Sequence, residues 1–211
     1  MTPRYLVVCL LLIAAACAAT LYCWPSLPER LPLHWNAAGA IDGYGPRAVL
    51  WLLGPGMMTL AALGGPLLPR IAPRRFDIAG FESTYYYVCG VIVVMLAYVH
   101  ALVLLAVLHG GVEMARAIPA GICILLILIG NPLGKVRRNF VIGVRTPWTL
   151  ASEAVWYATH RLAAKLMVAS GLLGLCALWL GAPHWLLATA MLAWAPIAVA
   201  YSLLLYKRLP Q

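Results

Sequence analysis

Three groups of residues in this 211-residue chain have the side-chain types that chemistry requires. Ser152, Glu153 and His160 supply a hydroxyl, a carboxylate and an imidazole close together, the makings of nucleophilic catalysis. Such a group also needs a third residue to orient the base and donors for an oxyanion, and neither is in evidence. The sequence has no H-E-x-x-H, no phosphate-cradling glycine loop and no C-x-x-C, so it does not read as an enzyme and no cofactor is expected. His34 with Asp42 offers two metal or proton ligands. Two are too few for a metal site, so these read as polar groups closing turns, with no metal expected. His100 and His160 are the candidate proton-handling groups of a small transporter or channel. A lone histidine in an apolar helix is more often a hydrogen-bonded packing residue. The cysteines (Cys9, Cys17, Cys23, Cys89, Cys123 and Cys176) match neither a disulfide framework nor a zinc pattern, and read as small apolar packing residues.

The elements that position these groups are set by an excess of apolar residues. The chain is 64% hydrophobic and 10% charged, with a mean hydropathy of +0.91. A soluble domain carries about 25% charge, so a soluble globular enzyme and a disordered chain are both excluded. A membrane helix needs ~20 apolar residues to cross ~30 Å of hydrocarbon. Charge-free runs of about that length lie between Arg4 and Glu29, Arg47 and Arg70, Glu82 and Glu113, and Arg116 and Lys135. The run from Lys165 to Lys207 is about twice as long and is broken by Gly181-Ala182-Pro183-His184 into a helical hairpin. The expected fold is all-α: a polytopic bundle of six transmembrane helices near 5–24, 48–68, 84–108, 117–132, 161–180 and 185–206.

The net charge of +9 reads as topology before it reads as affinity for nucleic acid. With both termini cytoplasmic, only Arg30, Arg47 and Arg116 of the basic residues fall outside, and the rest, Arg74 and Arg75 included, collect inside. These residues are scattered over inner loops without a reader motif, so direct nucleic-acid binding is not expected. Arg4 followed by an apolar stretch and Ala14-Ala15-Ala16-Cys17-Ala18-Ala19 resembles a secretory signal. The even number of spans requires this segment, so it is expected to stay. The basic loop Pro69–Asp77 either rests on anionic headgroups or serves as an orientation signal alone.

Two connections are more than linkers. In the outer one, Pro25, Pro28 and Pro32 deny a helix, and Leu31-Pro-Leu-His-Trp35 reads as extended. Asn36 to Gly39, then Asp42-Gly43, supply tight turns, while Trp35 and Tyr44 suit the headgroup belt. The result is an ordered outer cap. The inner connection begins where Asn131-Pro132 ends the fourth span. Asn139 to Val144 is β-prone and interfacial, and Thr146-Pro147 opens a helix running into span 5, with threonine as N-cap. Glu153, Trp156 and His160 then fall on one helical face. An interfacial amphipathic helix accounts for the tryptophans, but less well for the crowding of Asn139, Arg145, Thr146, Glu153, Thr159, His160 and Arg161 near the lipid. An Arg145–Glu153 or Glu153–Arg161 pair would lower the cost of that crowding.

Residues 143–161, Gly-Val-Arg-Thr-Pro-Trp-Thr-Leu-Ala-Ser-Glu-Ala-Val-Trp-Tyr-Ala-Thr-His-Arg, resemble the signature of the SdpI family of bacterial membrane proteins. They are preceded by the matching pieces Asn131-Pro-Leu-Gly-Lys135 and Asn139-Phe-Val-Ile-Gly143, and depart from the signature at Tyr157-Ala158. Leu31-Pro-Leu-His-Trp-Asn-Ala-Ala-Gly-Ala-Ile-Asp-Gly-Tyr44 is similar to a module that commonly precedes SdpI domains. The resemblance covers roughly 10–60 and 115–205 and leaves span 3 as the least diagnostic part. It divides the chain into 1–70 (helices 1 and 2 with the cap), 71–115 (basic loop and helix 3) and 116–211 (the SdpI-like part).

What the resemblance implies is immunity to a secreted membrane-active killing peptide at the bacterial cell membrane. It also implies signalling, in which a cytoplasmic repressor is held at the membrane. The partners are then membrane lipid, a toxic peptide outside and a repressor inside; a proton or small-solute transporter is the alternative. The implied outer binding residues are His34, Trp35, Asn36, Gly39, Asp42, Gly43 and Tyr44. The implied inner ones are Asn131, Gly134, Lys135, Asn139, Gly143, Arg145, Thr146, Pro147, Trp148, Thr149, Glu153, Trp156, Thr159, His160 and Arg161.

Overall fold

The computed structural model describes residues 2–73 and 77–209. Arg74 and Arg75 of the basic loop lie outside the described residues. Six helices are long and apolar enough to cross a membrane. The first, α1 (Pro3–Cys23), starts where Thr2 accepts the Tyr5 N–H and Pro3 occupies the first helical position. The second, α2 (Val49–Ile71), opens into a π-helical turn over Leu52–Gly56 around Pro55, whose ring nitrogen has no hydrogen to donate. Then follow α3 (Glu82–His109) and α4 (Met114–Leu133). After the short α5 (Pro147–Ala151) come α6 (Glu153–Trp179) and α7 (His184–Arg208). Gly181, at φ +68°, ends the α6 turn before Pro183 caps α7. Apolar side chains such as Leu10, Leu11, Leu60, Leu63, Leu172 and Leu173 stay exposed along the spans, a surface that needs lipid rather than water as its solvent.

One boundary differs from the expectation. Span 5 begins at Glu153 and not near 161, and α6 is therefore about 40 Å long at ~1.5 Å per residue, against ~30 Å of hydrocarbon. The polar residues 153–161 thus form its first turns, and its surplus length lets them lie outside the apolar layer. The end of α4 at Leu133 agrees with the expected stop at Asn131-Pro132, a proline one residue from a helix end interrupting little.

The chain divides into two compact units. The first, Met1–Gly64 with Cys89–Gly121, holds a β-hairpin that the all-α reading had taken only as an ordered cap. Strand β1 (Arg30–Trp35) pairs antiparallel with β2 (Ile41–Pro46), Leu31 opposite Gly45 and Trp35 opposite Ile41, with irregular register around His34. The hairpin is anchored by its underside. Leu31 is fully buried with Leu27, Leu50 and Leu104, and Trp24, Leu33 and Val107 pack around them. Burying one such leucine contributes about 1.5–3 kcal/mol.

The second unit is Gly65–Val88 with Ile122–Gln211. Here α6 packs along α7. The Tyr85 hydroxyl donates to the Gly65 carbonyl (2.8 Å), and its ring meets Phe81 and Tyr86 edge-on. Residues 139–144, expected as β-prone, form no strand; they fold into a tight loop closed by the Asn139 side chain.

Candidate functional site

On the hairpin, one side chain makes the turn. Asn36 Oδ1 accepts the N–H groups of Ala38 and Ala40 (both 3.0 Å), the Asn36 N–H donates to the Ala40 carbonyl (2.9 Å), and Gly39 takes a positive φ of +79°. Beyond the turn, His34 Nδ1 and Asp42 Oδ1 meet at 2.5 Å on the exposed face. Gly43 lies opposite His34 in the ladder, Trp35 is half-buried, and Ile41 and Tyr44 remain exposed. The hairpin therefore presents a polar pair flanked by apolar and aromatic surface on a firmly seated base.

The sequence reading missed the residue that fixes that base. Arg47, counted only as an external charge, donates to the carbonyls of Leu27 (3.2 Å) and Trp24 (3.4 Å) and lies 4.8 Å from the Trp24 ring centroid. Its N–H extends the ladder to the Glu29 carbonyl (2.8 Å). In the same unit His100, the candidate proton handler, is buried. Thr20 donates its hydroxyl to the Ala16 carbonyl and so accepts from His100 Nε2 (2.9 Å), while Nδ1 faces Gly54 in the π turn and has no hydrogen-bond partner among the described residues.

In the second unit the motif residues form a continuous hydrogen-bonded string. Trp156, fully buried, donates Nε1–H to the Val136 carbonyl (2.8 Å). His160 stacks on Trp156 with ring centroids 3.9 Å apart. The Val144 N–H donates to His160 Nε2 (3.0 Å), which leaves the hydrogen on Nδ1 to bond the Trp156 carbonyl (2.7 Å). The Val144 carbonyl in turn accepts the Thr149 hydroxyl (2.8 Å). Gly143 sits at φ +113° with the His160 imidazole where a Cβ would project, so both backbone and space demand glycine.

Asn139 and Thr146 close the loop that carries this string. Asn139 Oδ1 accepts the N–H groups of Val141 (2.7 Å) and Ile142 (2.8 Å), and Nδ2 donates to the carbonyls of Arg137 (2.9 Å) and Ile142 (3.1 Å). Thr146 N-caps α5 in a reciprocal box with Thr149, Pro147 follows at the first helical position, and Trp148 donates Nε1–H to Ser202 in α7 (2.6 Å). The chain does not run on from α5 into α6. Ser152 is extended and caps the new helix by accepting the Val155 N–H (3.4 Å).

Several expectations are corrected here. Glu153 pairs with Arg138 (3.6 Å), not with Arg145 or Arg161, and is exposed while Trp156 and His160 on its helix are buried. Arg138, counted in the sequence only as one of the inner basic residues, also donates to the carbonyls of Leu150 (3.1 Å) and Ala151 (3.3 Å), capping α5. Arg145 donates to the Phe140 carbonyl (2.8 Å). Asn131, Lys135 and Arg161 are exposed, and a Cβ on Gly134 would lie 3.7 Å from Arg161 Cα. Thr159 is fully buried and its hydroxyl has no partner among the described residues. Ser152 and His160, the would-be nucleophile and base, are each committed to backbone bonds.

Residues 135–202 match the SdpI/YfhL protein family, and residues 11–59 match a domain of unknown function (DUF1648). The chain is 25% identical over 171 residues to the immunity protein SdpI of Bacillus subtilis (strain 168), covering 78% of this chain and 77% of that protein. No solved structure matches it. The hydrogen-bonded string and most of the α6–α7 hairpin fall within 135–202, and it is through that segment that this chain of six membrane-length helices is similar to the SdpI/YfhL protein family.

Proposed function

We propose that this protein is an integral membrane immunity protein that protects a bacterium from a secreted membrane-active peptide. The observation that carries this reading is the similarity to an immunity protein over most of both chains. The hairpin's chemistry supports it. An amphipathic peptide at the headgroup layer needs a partner with both polar and apolar contacts, and His34, Asp42, Ile41 and Tyr44 offer these side by side. In this reading the hairpin lies outside the cell and both termini inside, as the distribution of basic residues favours.

The hydrogen-bonded string around Trp156 and His160 has a different job. Its polar groups bond one another, so it holds the 131–161 segment in one shape and leaves Lys135, Arg145 and Arg161 at the surface for a cytoplasmic partner, a transcriptional repressor held at the membrane. For the peptide to control that docking, it must bind one arrangement of the helices better than another, because a ligand shifts a population only by its differential affinity.

The test is survival of a peptide-sensitive host expressing the chain and challenged with a panel of secreted membrane-active peptides. Growth is expected against at least one peptide, and is lost in Trp35→Ala and Asp42→Ala at equal membrane abundance. No protection against any peptide would overturn the immunity reading; protection undiminished in both variants would remove the hairpin as the reader.

A further inference from the structure

We infer that the face between α4 and α6 carries a seat for one anionic phospholipid. A shallow groove of about 390 Å³ runs here, lined by Gly130, Asn131, Ala164, Lys165, Ala169 and Leu172 among others. It exists because the helix backbones approach closely: a Cβ on Gly130 would lie 3.1 Å from the Ala164 carbonyl oxygen and 2.8 Å from Met167 Cβ.

The groove has two chemically different ends, and their depths match those of a lipid. Asn131 lies two residues before the end of α4, about 3 Å along the axis, at the headgroup boundary of a helix whose length just spans the hydrocarbon. Lys165 lines the same end from α6 and is exposed, and exposed Arg161 lies one turn nearer the helix start, where α6 meets Gly134. Neither Lys165 nor Arg161 has an acidic partner among the described residues; the nearby carboxylate, Glu153, is paired with Arg138. Two unneutralised cations at phosphate depth complement an anionic headgroup, and a lysine there can bury its stem while its ammonium reaches the interface. From this mouth the groove continues past Ala169 and Leu172, one and two turns further into the apolar layer, where the small side chain of Ala169 leaves room for an acyl chain. A zwitterionic lipid would satisfy the apolar part but leave the cations without net counter-charge.

The experiment is native mass spectrometry of the full chain, freed from detergent and titrated with phosphatidylglycerol or phosphatidylcholine. Monodispersity and melting in zwitterionic detergent control for folding. Wild type is expected to retain one phosphatidylglycerol in preference to phosphatidylcholine. Lys165→Gln should weaken that retention about five-fold, the effect of one basic group near an anionic headgroup, and Lys165→Arg should restore it. Ala169→Leu, at an exposed position that needs no repacking, should weaken it comparably by filling the groove. Equal retention of the two lipids, or a change below two-fold in both Lys165→Gln and Ala169→Leu, would overturn the proposal. So would displacement of the lipid by millimolar glycerol phosphate, which would make this a site for soluble phosphate. A dimer that Ala169→Leu converts to monomer with lipid retention unchanged would also overturn it, by making a second copy the occupant.

Discussion

Asn139→Ala is the substitution whose consequence the structure specifies most closely. Asn139 is fully buried and its amide makes four hydrogen bonds that close the 137–142 loop. Alanine leaves two N–H groups without acceptors and two carbonyls without donors. A typical bond of this kind contributes about 0.5–1.5 kcal/mol net, and more when the abandoned partner stays buried. Val141 and Ile142 are half-buried, so water reaches part of the opened loop. The expected loss is therefore about 2–4 kcal/mol, concentrated in the loop. Hydrogen exchange in detergent micelles reads it directly: the Val141 and Ile142 amides should open roughly 30- to 700-fold more often, at 1.4 kcal/mol per tenfold. The Val144 amide, which donates to His160, should follow them. Asn131→Ala is the internal control, an asparagine of the same motif that is exposed and makes no side-chain bond among the described residues; its effect should stay within about 0.5 kcal/mol. Unchanged exchange at 141 and 142 in Asn139→Ala, or equal damage from the two substitutions, would refute the assignment of loop closure to Asn139.

Gly54→Ala places a methyl group where the His100 imidazole packs, and should cost about 1–3 kcal/mol of thermal stability by overpacking, with part regained in the Gly54→Ala/His100→Ala double variant. Trp148→Phe and Ser202→Ala each remove the Trp148–Ser202 bond between α5 and α7, so a double-mutant cycle should show coupling of about 0.5–1.5 kcal/mol; additivity would mean the bond contributes nothing. Leu31→Ala should lower stability by about 2–5 kcal/mol because it hollows the cluster under the hairpin, whereas Tyr44→Ala, exposed, should change it by less than about 0.5 kcal/mol.

The six spans were legible because the cost of charge in lipid writes itself into the sequence as charge-free runs, and a break as strong as Gly181-Ala182-Pro183 survives any context. The Thr146-Pro147 helix start was legible for a related reason: capping is local, and residues three apart suffice for it. The second strand was not. Ile41-Asp-Gly-Tyr-Gly-Pro46 has a poor strand composition, and it pairs because the Asn36 turn and the burial of Leu31 bring it alongside β1. Asn139 to Val144 failed in the opposite direction, since its β-branched residues fit a strand while one buried amide fixes a loop instead. Helical periodicity put Glu153 with Trp156 and His160, yet a residue in the first turn is free to point away, and Arg138 reaches it there from a loop. Arg47 and Arg138 carried no local signal. Each works by donating to carbonyls distant in sequence, which neither charge counting nor spacing registers.

The proposed immunity function requires the hairpin to face the exterior and the 131–161 motif to face the cytoplasm. Cysteine substitutions at exposed Tyr44 and exposed Lys135, probed in intact cells with a membrane-impermeant maleimide, test this most directly. The account predicts that Tyr44→Cys is labelled in intact cells and Lys135→Cys only after permeabilisation. Labelling of Lys135→Cys from outside, with Tyr44→Cys protected, would contradict it.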